Sequence, residues 1–371
     1  MKRSLAAPYA LLILLAPVRA QLGGQAVFRV LDIPSSARIS ALGGTHIAVM
    51  DDDLNLGIFN PSVLNPTMGR QVAFSYLPYF EGIKMGFGSY AHHFDSIRTT
   101  FSGTVQFVDY GTFQRTEADG SETGTFTGGE YVVQVGAARA LDSLFTVGAN
   151  VKFITSQLEA YTATGWAADL GATFHKRSMG LTVSALLRNI GFVSSRYTDQ
   201  KEKLPFDVQL GLSYRFRHAP FRLGLTFVNL QQWDLTYDDP VQQQQIDPTT
   251  GEPIVEEVSF LENAVLHLVP NVEVLLGRYF NVRVGYDFQR RRELKVDGKP
   301  GISGLSFGLG LRVSKVHLSY GFAQYHLAGI SNTITLAARF SDFKKRPPGQ
   351  EPERRRKRKD EAPAPVAVPE G

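Results

Sequence analysis

Cysteine is absent from all 371 residues, which excludes a lipid-modified cysteine, a disulfide framework and any thiolate metal site. No apolar stretch reaches the roughly 18 residues of a helical membrane span, so a bilayer would have to be crossed by strands. Catalytic signatures are scarce as well. No His-Glu-x-x-His motif is present, and no serine reads as the nucleophile of a Gly-x-Ser-x-Gly elbow. The eight histidines (His46, His92, His93, His175, His218, His267, His317 and His326) form no local motif. The chain is therefore read as non-enzymatic and without a cofactor. Its body also lacks positive charge: of a net +4, the first twenty residues hold +3 and the stretch from Lys344 onward +4, leaving −3 between them. A nucleic-acid partner is not expected from such a body.

What is present begins with a leader. Lys2 and Arg3 precede an apolar run from Leu5 to Ala16, and Val18-Arg19-Ala20 is a small-residue cleavage site. Residues 1–20 are expected to be a signal peptide and the protein to be exported.

Beyond residue 70 the dominant signal is alternation with a period of two, which places one set of side chains on each face of a strand. Ile334, Leu336, Ala338 and Phe340 alternate with Thr333, Thr335, Ala337 and Arg339. Similar runs span Leu305–Val313, Phe280–Gln289 and Phe206–Phe216, and others begin near Val72, Ile83, Thr100, Tyr131, Phe145, Trp166, Leu181, Phe221, Val265 and Val316. The fold class expected is all-β: a transmembrane antiparallel barrel of about 14 strands over residues 70–340. A soluble sandwich would also alternate, but the connections here sort by length. Those near 142, 177, 218 and 314 are short, whereas Asp109–Glu130, Gly191–Leu204, Gln231–Asn263 and Arg290–Gly301 are long and share one end. Bacterial outer-membrane barrels have this asymmetry, with the long loops outside and an even strand count that leaves both termini periplasmic.

Glycine collects on the polar face at Gly86, Gly88, Gly136, Gly148, Gly171, Gly211, Gly224, Gly308 and Gly310, with Gly103 as an exception. Small inward residues leave room for something in the lumen. The two tryptophans, Trp166 and Trp233, map to the outer rim as an aromatic girdle, and Phe94, Phe145, Tyr279 and Phe340 to the inner rim.

Residues 21–69 do not alternate. Ser35-Ser36-Ala37-Arg38 opens a short capped helix ending near Gly43-Gly44, and turns follow at Asp51-Asp52-Asp53 and Asn60-Pro61. This apolar, loop-rich segment is expected to be a hatch folded into the barrel, the alternative being a periplasmic arm. The three aspartates lack an EF-hand's ligand spacing, so turn acids or partners of lumen arginines are expected before a metal site. Residues 341–371 are Lys-, Arg- and Pro-rich and are expected to form a disordered periplasmic tail.

The stretch Ser36–Gly44 with Asp51–Asn55 and Asn60-Pro61-Ser62 resembles the hatch signature of a superfamily that includes FadL-type fatty-acid transporters and the PorV and PorQ proteins of type IX secretion. Gln21–Gln25, Phe94-Asp95, His218–Phe221 and Asn229–Tyr237 resemble the PorQ family in particular. That resemblance implies an attachment-complex component that holds a PorZ-like surface protein near PorU- and PorV-like partners, where cargo is joined to lipopolysaccharide. Trp233, Asp234, Tyr237, Asp238 and Asp239, in the largest outer loop, are then the expected partner-binding residues. A transporter of small hydrophobic molecules is the rival, and a general porin a third reading.

Overall fold

Alternation closes the sheet. Fourteen antiparallel strands pair each with the next, and the first pairs with the last, so no edge remains. They are β1 (Gln71–Pro78), β2 (Lys84–Phe94), β3 (Thr99–Thr116), β4 (Glu122–Ala140), β5 (Phe145–Leu158), β6 (Tyr161–Lys176), β7 (Leu181–Ser195), β8 (Asp207–Arg215), β9 (Phe221–Phe227), β10 (Leu268–Leu276), β11 (Phe280–Tyr286), β12 (Leu305–Val313), β13 (Val316–His326) and β14 (Gly329–Arg339). The computed structural model describes residues 26–79, 82–199, 201–235, 259–295, 302–327 and 329–343. The expected signal peptide, and the expected tail beyond its first three residues (341–343), lie outside the described residues, as do Tyr237, Asp238 and Asp239.

The outward face is apolar and unburied: Phe74, Val105, Val133, Val151, Leu170, Leu210, Leu309 and Leu336 are all exposed on different strands. A continuous apolar band around a closed barrel is stable only in lipid. Among the described residues, no helix is long and apolar enough to cross a membrane. The three longest connections, residues 196–206, 228–267 and 287–304, leave one end of the barrel. Strands β3 to β7 run 14–19 residues, past the roughly 9–11 that a membrane demands, so the wall is taller on that side.

Several local expectations give way. Most of the loop expected at Asp109–Glu130 is an extended hairpin, because β3 and β4 stay paired out to Thr116 and Glu122. Val265, expected to start a strand, lies in helix α3 (Phe260–Leu266), where Ser259 and Glu262 form a capping box. Phe288 and Gln289 belong to helix α4 (Phe288–Glu293), whose cap Asp287 accepts from the Arg290 N–H. Gly86 and Gly88 face outward rather than into the lumen, and Met85 and Phe87 are buried inside. The Phe107 and Phe74 rings of the flanking strands cover those two outward glycines.

Residues 28–69 fill the lumen. Ala26 bridges Lys203 at the end that carries the long connections, with the Val27 N–H donating to the Lys203 carbonyl at 3.0 Å. Helix α1 (Ala37–Ala41), capped by Ser36, packs on β12 and β13. Helix α2 (Leu54–Phe59), capped by Asp53, follows, and the chain leaves into β1 at the short-turn end. The first described residues and the end of β14 thus lie at opposite ends of the barrel. Both chain termini lie outside the described residues.

The inward glycines are where the segment touches the wall. A Cβ at Gly321 would meet the Ala37 carbonyl, one at Gly148 the Pro61 backbone, one at Gly211 Ile47, and one at Gly308 Ala41. Glycine is required there by close approach rather than by backbone conformation.

Candidate functional site

Toward the short turns the contact between segment and wall is ionic. Arg215, Arg222, Glu273 and Arg283 stand side by side in register on β8 to β11, all on the inward face. Arg38, from α1, reaches into this row. Its Nε and Nη2 donate to Glu273 Oε1 and Oε2, each at 2.8 Å, and Nη2 also donates to Asp51 Oδ2 at 2.8 Å. Arg222 donates to Glu273 at 2.5 Å and Arg283 at 3.1 Å, so one buried carboxylate accepts from three guanidiniums. Burial alone would raise the Asp51 carboxyl, but Arg38 and Arg222 outweigh it and hold it down to about 2.

The aspartate triplet is divided by geometry. Asp51 and Asp53 pair with Arg38, whereas Asp52 turns the other way to Arg312 and Arg339 at 2.5 and 3.5 Å. Asp53 also caps α2 through the Asn55 N–H. These acids are guanidinium partners. Asn60 is fully buried: its amide donates to the Ile47 carbonyl at 2.8 Å and its oxygen accepts from the Ser62 N–H and hydroxyl. The repeat Asn60-Pro61-Ser62, Asn65-Pro66-Thr67 makes two successive 3-10 turns, each capped by its asparagine and opened by its proline. Pro61 itself lies against Gly148.

Beside the ionic row is a cavity of about 190 Å³, bounded by Arg38, Asp52, Arg215, Arg278, Asn281 and Arg312.

Midway up, Lys152, Asp169 and Asn189 form a second buried polar set. Lys152 donates to Asp169 at 2.8 Å and to Asn189 at 2.9 Å, and Asn189 occupies a left-handed conformation (φ 55°) beside a register shift in the β6–β7 ladder. Arg188, next to it, stacks on Phe59 at 3.8 Å and donates to the Leu31 carbonyl. His46, wholly buried near Asn271, is pushed down to about 4 by burial, against the opposing pull of Glu273.

Toward the long connections the inward face turns apolar. Leu77, Met85, Val108, Val132, Ile154 and Ala167 pack against Phe28, Val30 and Leu31 of the segment. This zone was not apparent in the sequence. Its signal, alternating apolar residues on both faces of β2 to β5, was masked by reading every inward face as polar.

The expectation that no serine lies in a Gly-x-Ser-x-Gly elbow is corrected by the sequence itself: Ser306 sits in Gly304-Leu305-Ser306-Phe307-Gly308, which fits that spacing. It lies within β12, however, donates to the carbonyls of Ala41 and Gly285, and accepts from the Gly43 N–H. Its hydroxyl fastens the segment.

Trp233 and Asp234 lie in the connection after β9. Trp233 stacks on Phe260 of α3 at 4.7 Å and on His267 at 5.4 Å, so it belongs to a loop cluster, whereas Trp166 faces outward on β6 against Phe153.

No protein-family model matches the sequence, and no curated protein matches it. Solved structures do match. A deletion mutant of the TodX monoaromatic hydrocarbon channel aligns with TM-score 0.51 at 13% identity, over 82% of this chain and 99% of that one. The CymD monoaromatic hydrocarbon channel aligns with TM-score 0.51 at 11% identity, over 83% and 98%. The chain shares the barrel fold of these proteins. At such identities the likeness is one of architecture: a closed barrel of this size.

Proposed function

We propose that this protein is an outer-membrane channel for small hydrophobic molecules. The observation that carries the reading is the apolar upper lumen, in which Met85, Val108, Val132 and Ile154 of the wall face Phe28, Val30 and Leu31 of the threaded segment. A water-filled porin has no use for such a surface, whereas displacement of the segment would uncover an apolar path between lipid and lumen. The fold is shared with the TodX and CymD monoaromatic hydrocarbon channels, which supports the same class of cargo. The test compares uptake of radiolabelled toluene and glucose by cells with and without the protein. Faster toluene entry with unchanged glucose entry is expected. Equal toluene rates would overturn the reading.

A second reading is an attachment scaffold that holds a PorZ-like surface protein beside PorU- and PorV-like components and lipopolysaccharide. It is favoured by the Trp233–Phe260 stack at the long-connection end, where Phe260 and Leu261 are more than 70% exposed. Purification from the cell envelope separates the two: a co-purifying surface protein supports the scaffold, and the barrel with bound lipid supports the channel.

A further inference from the structure

We propose that the cavity at the short-turn mouth is an oxyanion-binding site, formed around Arg215, Arg278 and Arg312 and independent of the cargo that crosses the lumen. Charge accounting leads to this assignment. Glu273, Asp51 and Asp53 balance Arg38, Arg222 and Arg283 through the contacts already described. Asp52 is the one remaining carboxylate lining the cavity, and it is shared by Arg312 and Arg339. Arg215 and Arg278 line the same cavity and have no ion-pair partner among the described residues. Among the described residues, the cavity lining together with Arg339 carries seven guanidiniums against four carboxylates, a surplus of three positive charges.

Such a surplus is not required to hold the segment. Arg215 stands beside Arg222 in the β8–β9 register, so a like-charged pair is maintained on adjacent strands. Like charges placed directly across a ladder are destabilising; Arg222 is balanced by Glu273 and Asp51, which leaves Arg215 as the member without a carboxylate among the described residues. The planar forks of Arg215 and Arg278 suit the paired oxygens of phosphate or carboxylate, and both side chains are exposed, so a ligand can enter from the short-turn side. Asn281 and Ser319 add polar groups to the cavity wall for the remaining contacts.

The ligand chemistry is an oxyanion, from one of two sources: a free inorganic anion, or the carboxylate of an organic molecule. The test uses the purified full-length barrel in neutral detergent, titrated calorimetrically with inorganic phosphate and with benzoate at constant ionic strength, chloride being the reference. Saturable heat from phosphate alone assigns the free anion, and tighter binding of benzoate assigns the organic carboxylate. R215Q/R278Q is expected to weaken binding by at least about tenfold, the cost of losing charge-assisted hydrogen bonds. A parallel measurement on unaltered protein follows phenylglyoxal modification by mass spectrometry, with Arg215 and Arg278 expected to react several-fold more slowly when the oxyanion is present. No saturation beyond chloride, equal binding by R215Q/R278Q, or unaltered arginine reactivity would each overturn the site. Toluene uptake is read separately, so failure here leaves the channel reading standing.

Discussion

Arg38 and Glu273 are 235 positions apart in the chain and meet through two parallel hydrogen bonds of 2.8 Å, joining the lumen segment to the wall. The pair is asymmetric. Arg38 also holds Asp51 and Asp53, while Glu273 also holds Arg222 and Arg283. Removing the carboxylate leaves three buried guanidiniums facing an empty centre, Arg38 and Arg222 still on Asp51 but Arg283 without its carboxylate, whereas removing Arg38 leaves Glu273 with two partners. Glu273→Ala is therefore expected to cost roughly 3–5 kcal/mol, the range for breaking a buried charged pair, and Arg38→Ala distinctly less. Denaturant unfolding in detergent, together with protease sensitivity of residues 28–69, measures both. Equal losses would show that the network is not organised around Glu273.

Glycine contacts separate the segment from the barrel. Gly321→Val and Gly148→Val place side chains where Ala37 and Pro61 now lie, so the segment should shift while the barrel still closes. The expected readout is raised single-channel conductance in planar bilayers with native heat-modifiable migration on gels. Gly103→Val is the control, since a Cβ there faces outward with nothing within 4 Å. A conductance rise in the control, or none in the other two, contradicts the assignment of these glycines to segment contacts.

The barrel was far more legible in the sequence than the site. Strand number and pairing depend on period two and on turn spacing, both local properties, so all fourteen strands were visible from their own residues. Helices α3 and α4 escaped because each is only one or two turns long, set by its own caps (Ser259 with Glu262, and Asp287), and falls largely within the stretches read as the loops Gln231–Asn263 and Arg290–Gly301. The parity of β2 misled for a different reason. An inward face that packs against a plug is apolar, so Met85 and Phe87 carried the pattern of lipid-facing residues. Aspartates 51 to 53 stood out as a cluster, but nothing local to them indicates that Arg38 and Arg222 are partners on one side and Arg312 and Arg339 on the other.

Acid should loosen the segment through His46. Burial holds its folded-state pKa near 4 against about 6.5 in the unfolded chain. Above pH 6.5 the imidazole is neutral in both states and contributes no pH dependence. Between 6.5 and 4 the unfolded chain gains the proton first, so stability falls with falling pH, by about 3 kcal/mol if His46 acts alone. His46→Gln should flatten that part of the profile. Asp51, held near 2, contributes stability that is present above about 3.8 and is lost only as pH falls toward 2, below the window in which His46 acts. An unchanged slope between pH 6 and 4.5 in the variant would remove His46 from the account.

Phe28 and Leu31 are the segment's largest side chains against the apolar wall, and truncating both tests whether that contact gates an apolar path. Phe28→Ala with Leu31→Ala removes two buried side chains from an interface that also includes Ile154 and Val132. Each truncation normally costs about 2–5 kcal/mol, and here the cost falls on docking of the upper segment, because the strand ladders are untouched. The ionic contacts of Arg38 and Asp51 lie at the other end and should persist. Toluene entry is thus expected to rise several-fold, since the closed state loses its apolar seal, while glucose entry stays low because the cavity wall remains hydrophobic. If both solutes enter faster, the segment has left the lumen as a whole and the barrel behaves as a porin. If neither does, the apolar zone is structural packing and the transport path lies elsewhere.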